Sequence, residues 1–349
     1  MSNRIWALVA ASVGAPAAMA HHSFAPHFDI NKPANISGTV KEYEARNPHS
    51  YLHIEAVDEN GKTQEYVCES HGYTQLSRNG ITPEMLKPGT ALRVDGSMSR
   101  HSPYMCFFNN LYFPDGRTLN VNGPQGPQTI RAPGPAALPA RTDLFGTWLL
   151  APNPNRSTSG PQPMIEFLTP AGQAAVAQYD PFKDDPTFRC DPVAIRRVWG
   201  APSTPLNIAR EGNSVILHHE WMDVERTVHL NTREHPQNGP RTSLGHSIGY
   251  FDGDTLVIET ANYSAGVLNQ YVEQPGQSTK GLLHSAALTS VERLHLDAAR
   301  QRLIVEVTLK DPEVFTRDFD TSHSEYAPSD LAIEPLNCSP EGVTGTIAR

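Results

Sequence analysis

From Val224 to Leu230 the chain reads Val-Glu-Arg-Thr-Val-His-Leu, with an apolar side chain at most alternate positions. A period of two is the repeat of a β-strand with one face turned to a core. The same signature, or a short apolar run bounded by turn residues, predicts strands before residue 122 at Ile36 to Tyr43, Tyr51 to Val57, Gln64 to Glu69, Ala91 to Ser97 and Met105 to Phe113. After residue 141 it predicts them at Gly146 to Leu150, Ser214 to Glu220, Val224 to Leu230, Ser247 to Phe251, Thr255 to Thr260, Thr289 to Leu296 and Leu303 to Leu309. Asp58-Glu59-Asn60-Gly61, Pro114-Asp115-Gly116, Glu211-Gly212-Asn213 and Asp252-Gly253-Asp254 supply the hairpin turns. Helix signals are sparse: a short one near Pro83 to Lys87, and Thr169-Pro170, an N-cap with proline in the first helical position, opening a helix to Gln178.

The expected fold class is therefore all-β. A small OB-like barrel over residues 21–121 is followed by a Pro/Gly-rich linker over 122–141, and then by a larger lipocalin-like antiparallel β-barrel or sandwich over 142–349. Residues 1–20 read as a signal peptide, with Arg4, an apolar run from Ile5 to Gly14 and Ala18-Met19-Ala20 at the cleavage site, so the expected location is periplasmic or secreted. The net charge of -9 argues against nucleic acid and anionic membrane as partners. No stretch is long and apolar enough for a membrane-spanning helix. The four cysteines, two in each half, suit one disulfide per domain, although three pairings are open.

Polar residues that fall on apolar strand faces mark candidate chemistry. Arg226 shares a face with Val224 and Val228, Glu292 with Leu294 and Leu296, and His246 with Ile248 and Tyr250. A buried charge needs a partner, so Arg226 and Glu292 are expected to meet each other or a ligand. A pocket of this kind would hold a small, largely apolar molecule. Arg226 would fix an oxygen, His246 or His284 would move a proton with Glu292 orienting it, and His219, His235 and Tyr250 would add contacts. That describes a cofactor-independent lyase, isomerase or hydrolase, or a non-catalytic carrier if the ion pair is structural.

The second constellation is at the mature N-terminus. Cleavage after Ala20 would expose the amine of His21 beside His22, and an amine with imidazoles chelates copper(II), a further nitrogen coming from His49, His53, His71 or His101. The arrangement resembles the histidine brace of copper oxygenases. Other motifs are missing: there is no GxSxG, P-loop or dinucleotide fingerprint, and no HExxH among the 15 histidines.

Two family resemblances follow from these residues. His21-His22-Ser23-Phe24, Phe28-Asp29, Ile36-Ser37-Gly38-Thr39-Val40 and Asn47-Pro48-His49 resemble the opening of an uncharacterised family of secreted proteobacterial proteins. The second half resembles another family of unknown function, through Gly146-Thr147-Trp148, Leu168-Thr169-Pro170, Tyr179-Asp180-Pro181, Arg226 to Leu230, His235-Pro236, Gly245 to Thr260, His284-Ser285, Glu292-Arg293, Asp311-Pro312 and Cys338. Where that family's pattern reads Cys-His-Glu and then Asn, this chain has Cys338-Ser339-Pro340. Neither resemblance implies a reaction, and pairing of Cys338 with Cys190 is consistent with the second.

Overall fold

The computed structural model describes residues 27–121, 138–151, 166–201, 204–274 and 277–340, with backbone only at 181–182, 269–274, 277–280 and 319–322. The expected leader, His21, His22 and most of the expected linker lie outside these residues. Strands dominate. The first group comprises β1 (Phe28–Glu44), β2 (His49–Val57), β3 (Thr63–His71), β4 (Ala91–Ser99), β5 (Met105–Tyr112) and β6 (Thr118–Asn120), with one helix, α1 (Tyr73–Arg78). Hydrogen bonds run β3-β2-β1-β4-β5, and β3 also pairs with β5, so five strands close into the OB-like ring the sequence predicts.

The second group comprises β7 (Gly146–Leu150), α2 (Pro170–Gln178), α3 (Ile195–Val198), β8 (Pro205–Glu211), β9 (Ser214–His219), β10 (Val224–His229), β11 (His246–Asp252), β12 (Thr255–Ala261), β13 (Gly266–Gln274), β14 (Gln277–His284), β15 (Thr289–Asp297), β16 (Arg302–Lys310) and β17 (Phe319–Pro328). Nine of these strands form a closed barrel in the order β10-β11-β12-β15-β16-β17-β7-β8-β9, while β13 and β14 pair only with each other.

Both rings hold an odd number of strands, and an odd ring cannot alternate direction all the way round. Each therefore has one parallel seam: β3 with β5, and β10 with β11, where Val228 faces Ser247 and His229 faces Ile248. The larger barrel is thus antiparallel except at that seam. Cys68 lies directly opposite Cys106 across the first seam, and the two are joined as a disulfide. The second disulfide joins Cys190 to Cys338.

Alternation does the packing. Val215 and Leu217, Val228, Leu256 and Ile258, Leu294, Leu303 and Val305 all enter one core with Trp148 and Tyr326. Each such aliphatic side chain contributes about 1.5–3 kcal/mol by leaving water. The helix at Thr169-Pro170 forms as expected, Thr169 Oγ1 accepting from Gly172 N at 3.1 Å. The helix expected at Pro83 to Lys87 does not form; those residues make successive tight turns, Met85 N to Thr82 O and Leu86 N to Pro83 O. Prolines 83 and 88 leave four residues between them, too few to nucleate a helix.

Candidate functional site

Three groups of polar side chains are candidates. The first lies inside the nine-strand barrel. Arg226 projects inward from β10 and Glu292 from β15, at 3% and 0% exposure. Arg226 Nη1 donates to Glu292 Oε2 at 2.9 Å and Nη2 to Oε1 at 2.7 Å. Nη2 also reaches Ser247 Oγ and Thr260 Oγ1, and Trp199 Nε1 donates to Glu292 Oε2 at 2.6 Å. Trp199 enters from the end of α3, anchored by Tyr326 Oη donating to its carbonyl at 2.7 Å. The carboxylate thus receives three donors, and on the guanidinium both Nη atoms are bonded while the buried Nε has no hydrogen-bond partner among the described residues. His219 packs edge-on against Trp199 with ring centroids 4.9 Å apart. Burial, with the charge of Arg226 behind it, holds His219 well below the ordinary imidazole range, so this ring is neutral.

His246 is not part of this group. On β11 the residues facing inward are Ser247, which meets Arg226, and Gly249, where a Cβ would press on Val228. His246 and Tyr250 therefore lie on the outer face, and the expected site uniting Arg226, His246 and Glu292 is not assembled. Apolar neighbours misidentified the face because Ile248, on the outside, is as buried as the core.

On that outer face His246 stacks on His229 at 5.1 Å between centroids, and its Nδ1 lies 3.0 Å from His235 Nδ1. Burial lowers the pKa of both His246 and His235; His229 and His235 add to it for His246, whereas Glu259 opposes it for His235. Arg233 covers the Tyr250 ring at 4.6 Å. His284 is separate again, buried with Nδ1 3.0 Å from Ser285 O and its ring 6.1 Å from that of Tyr263. Asp311 fixes the turn beside it by accepting from Ser285 N and Oγ.

The third group sits on the outer face of the OB-like barrel, at the point where the described chain begins. His49 on β2 is directly opposite His71 on β3, and His49 Nδ1 lies 3.9 Å from Glu69 Oε1. His71 packs on Phe107 at 5.6 Å, Phe107 on Phe28 at 5.5 Å, and His27 lies 6.4 Å from His101. His27, His49, His71 and Glu69 are all buried although they stand outside the barrel core; Phe188 of the second group packs on His27 at 5.8 Å. His53 is elsewhere, its two nitrogens 2.8 Å from Glu44 and 3.0 Å from Glu65. Among the described residues, no set of three or more His, Cys, Asp or Glu side chains is arranged to hold a metal by itself.

Residues 8–104 match a family model described as a family of unknown function, DUF6152. The match covers less than a third of the chain, yet it contains His21, His22, His27, His49, His71 and His101. It agrees with the first of the two resemblances; the second rests on its motifs alone. No curated protein and no solved structure matches the chain. Trp199, Ser247 and Thr260, which complete the interior network, carried no signal in the sequence beyond their polarity or size.

Proposed function

We propose that the protein is an extracytoplasmic copper-binding protein whose metal is held at the mature N-terminus by the amine and imidazole of His21, with His22 near and a further nitrogen from His49, His71 or His101. One observation carries this reading: His101 lies beside His27, the first described residue after the N-terminal histidines, and the His49–His71 pair is joined to it on the same barrel face through Phe107 and Phe28. The six Cα-to-Cα steps from His21 to His27 span at most about 20 Å, enough to bring the amine to these imidazoles. An all-nitrogen donor set of this kind favours copper(II) over the other divalent first-row metals. The amine is a ligand only once the leader is removed, so processing would create the site.

The test is intact mass and metal analysis of protein exported on its own leader. Expected is a chain starting at His21 with one copper and nitrogen hyperfine structure in its electron paramagnetic resonance spectrum. One alanine inserted before His21 should abolish that signature. A chain starting at His21 that takes up no copper from a stoichiometric supply overturns the proposal.

The second reading is a carrier or cofactor-independent enzyme for a small, largely apolar molecule in the nine-strand barrel. It is favoured by His219, whose buried Nε2 has no hydrogen-bond partner among the described residues and whose ring is neutral, as a proton acceptor must be. An organic molecule retained through purification and lost in His219→Leu supports it; none in either protein counts against it.

A further inference from the structure

Residues 230–245 carry the chain across the parallel seam between β10 and β11, and that seam holds two residue pairs, the fewest of any joint in the nine-strand barrel. Three imidazoles meet on the outside of it. His229 ends β10, His246 begins β11, and His235 comes from the connecting segment. The register sets His229 on one side of Ile248 and Glu259 of β12 on the other, two residues beyond His246 on the same outer face. Stacking on His229, with the planes 20° apart, fixes the His246 ring. His235 meets that ring edge-on at 82°, so that the two Nδ1 atoms face each other at 3.0 Å. All three rings are half-buried rather than sealed. The chain on either side of His235 is anchored as well: Arg233 Nη1 donates to Gly249 O at 3.3 Å, and Asn262 Nδ2 to Pro236 O at 2.9 Å.

Without a ligand, one of the two rings donates its Nδ1–H to the other. The same spacing belongs to neighbouring ligands of a metal ion. Two nitrogens each about 2.0–2.1 Å from a tetrahedral zinc stand about 3.3 Å apart, so a movement of about 0.3 Å converts the hydrogen-bonded pair into a chelate. The protonation state already suits it, because burial lowers both imidazoles and the neutral ring is the one that binds metal. The shared proton moves to Nε2 of its own ring, and nothing has to be ionised. Two imidazoles converge, not three, so water fills the remaining positions, while Glu259 on the same face opposes the charge of the cation. Nitrogen donors select zinc and its neighbours over magnesium and calcium, which take oxygen.

We propose that His235 and His246 bind a zinc ion through their Nδ1 atoms on the outer face of the nine-strand barrel, tying the segment of residues 230–245 to the strand it leads into. The site is separate from the N-terminal histidines and independent of the copper reading. It is tested on the mature full-length chain with one alanine inserted before His21, which removes the chelate of amine and imidazole from competition. Zinc sulfate is titrated calorimetrically. Expected is a saturable event that His235→Ala and His246→Ala each weaken by at least about tenfold, and that His295→Ala on β15 leaves unchanged. Zinc should also raise the unfolding midpoint of the starting protein and not that of His235→Ala. If His246→Ala does not fold, His235→Ala, outside the strands, decides alone. Absence of saturable zinc binding overturns the proposal and leaves a hydrogen-bonded imidazole pair; affinity retained in either variant does the same by placing the zinc elsewhere.

Discussion

Arg226 and Glu292 are bound to each other inside the barrel by two parallel hydrogen bonds, 66 residues apart in the chain, with no exposed charge between them. A pair so enclosed is costly to break from one side. Glu292→Gln leaves a buried guanidinium uncompensated and is expected to lower stability by about 3–5 kcal/mol. Replacing both residues with apolar ones, Arg226→Met with Glu292→Leu, should recover most of that loss. Urea denaturation of the two variants checks it. A Glu292→Gln protein as stable as the parent would mean that the carboxylate is not held as the geometry describes.

The histidines at the N-terminal end make a contrast that copper titration can read. His71→Ala and His49→Ala should weaken copper binding by about tenfold or more, because each removes a ligand or the imidazole beside it. His53→Ala should change nothing, since His53 is engaged by Glu44 and Glu65 instead. Equal effects of all three substitutions would show only a general requirement for histidine on this strand pair.

Much of this was legible because alternation maps directly onto burial. Arg226 and Glu292 stood out as charges on apolar faces, and the barrel places them together. The limits are equally physical. His246 was put on the wrong side because apolar character marks the inner face only where the outer one is wet, and Ile248 on the outside is buried. Strands β8 and β17 of the barrel and the β13–β14 hairpin were missed too; β17, Phe-Asp-Thr-Ser-His-Ser-Glu-Tyr-Ala-Pro, is mostly polar and shows no apolar alternation. Helix α1 was missed for a different reason: Gly72 offers no side-chain cap, and the first turn is held by Asn47, whose amide bonds Thr74 N and Oγ1 from 27 residues away.

The buried histidines give stability a definite pH dependence. For His219 the folded protein binds its proton less readily than the unfolded chain, whose imidazole keeps the ordinary value near 6.5. Above that value both states are neutral there and the residue contributes nothing. As pH falls below it the unfolded chain takes up a proton that the folded ring refuses, and stability is lost. His284, His235 and His246 are lowered too and act in the same direction, whereas His53, raised against its own desolvation by hydrogen bonds to Glu65 and Glu44, acts in the opposite one. Unfolding midpoints should therefore fall from pH 7 to pH 5, and less steeply in His219→Leu. An equal slope in parent and variant would assign the loss to other groups.

The last prediction concerns the chain end. Residues 329–340 run across both strand groups: Asn47 Nδ2 donates to Leu336 O, Ser339 N donates to Asn47 O, and Arg78 pairs with Glu220, whose Oε2 also accepts from Glu334 N at 3.0 Å. These contacts are spread along a segment with no strand ladder of its own, so the Cys190–Cys338 disulfide is what shortens its search for them. For the 148 residues it spans, the chain-entropy account gives about 5 kcal/mol, an upper figure. Cys190→Ser with Cys338→Ser is expected to cost about 2–5 kcal/mol and to open this segment to protease while the barrel stays resistant. Cleavage should fall after residue 328 and be suppressed in the disulfide-bonded parent. Equal protection in both would mean that the hydrogen bonds to Asn47 and Glu220 hold the segment unaided.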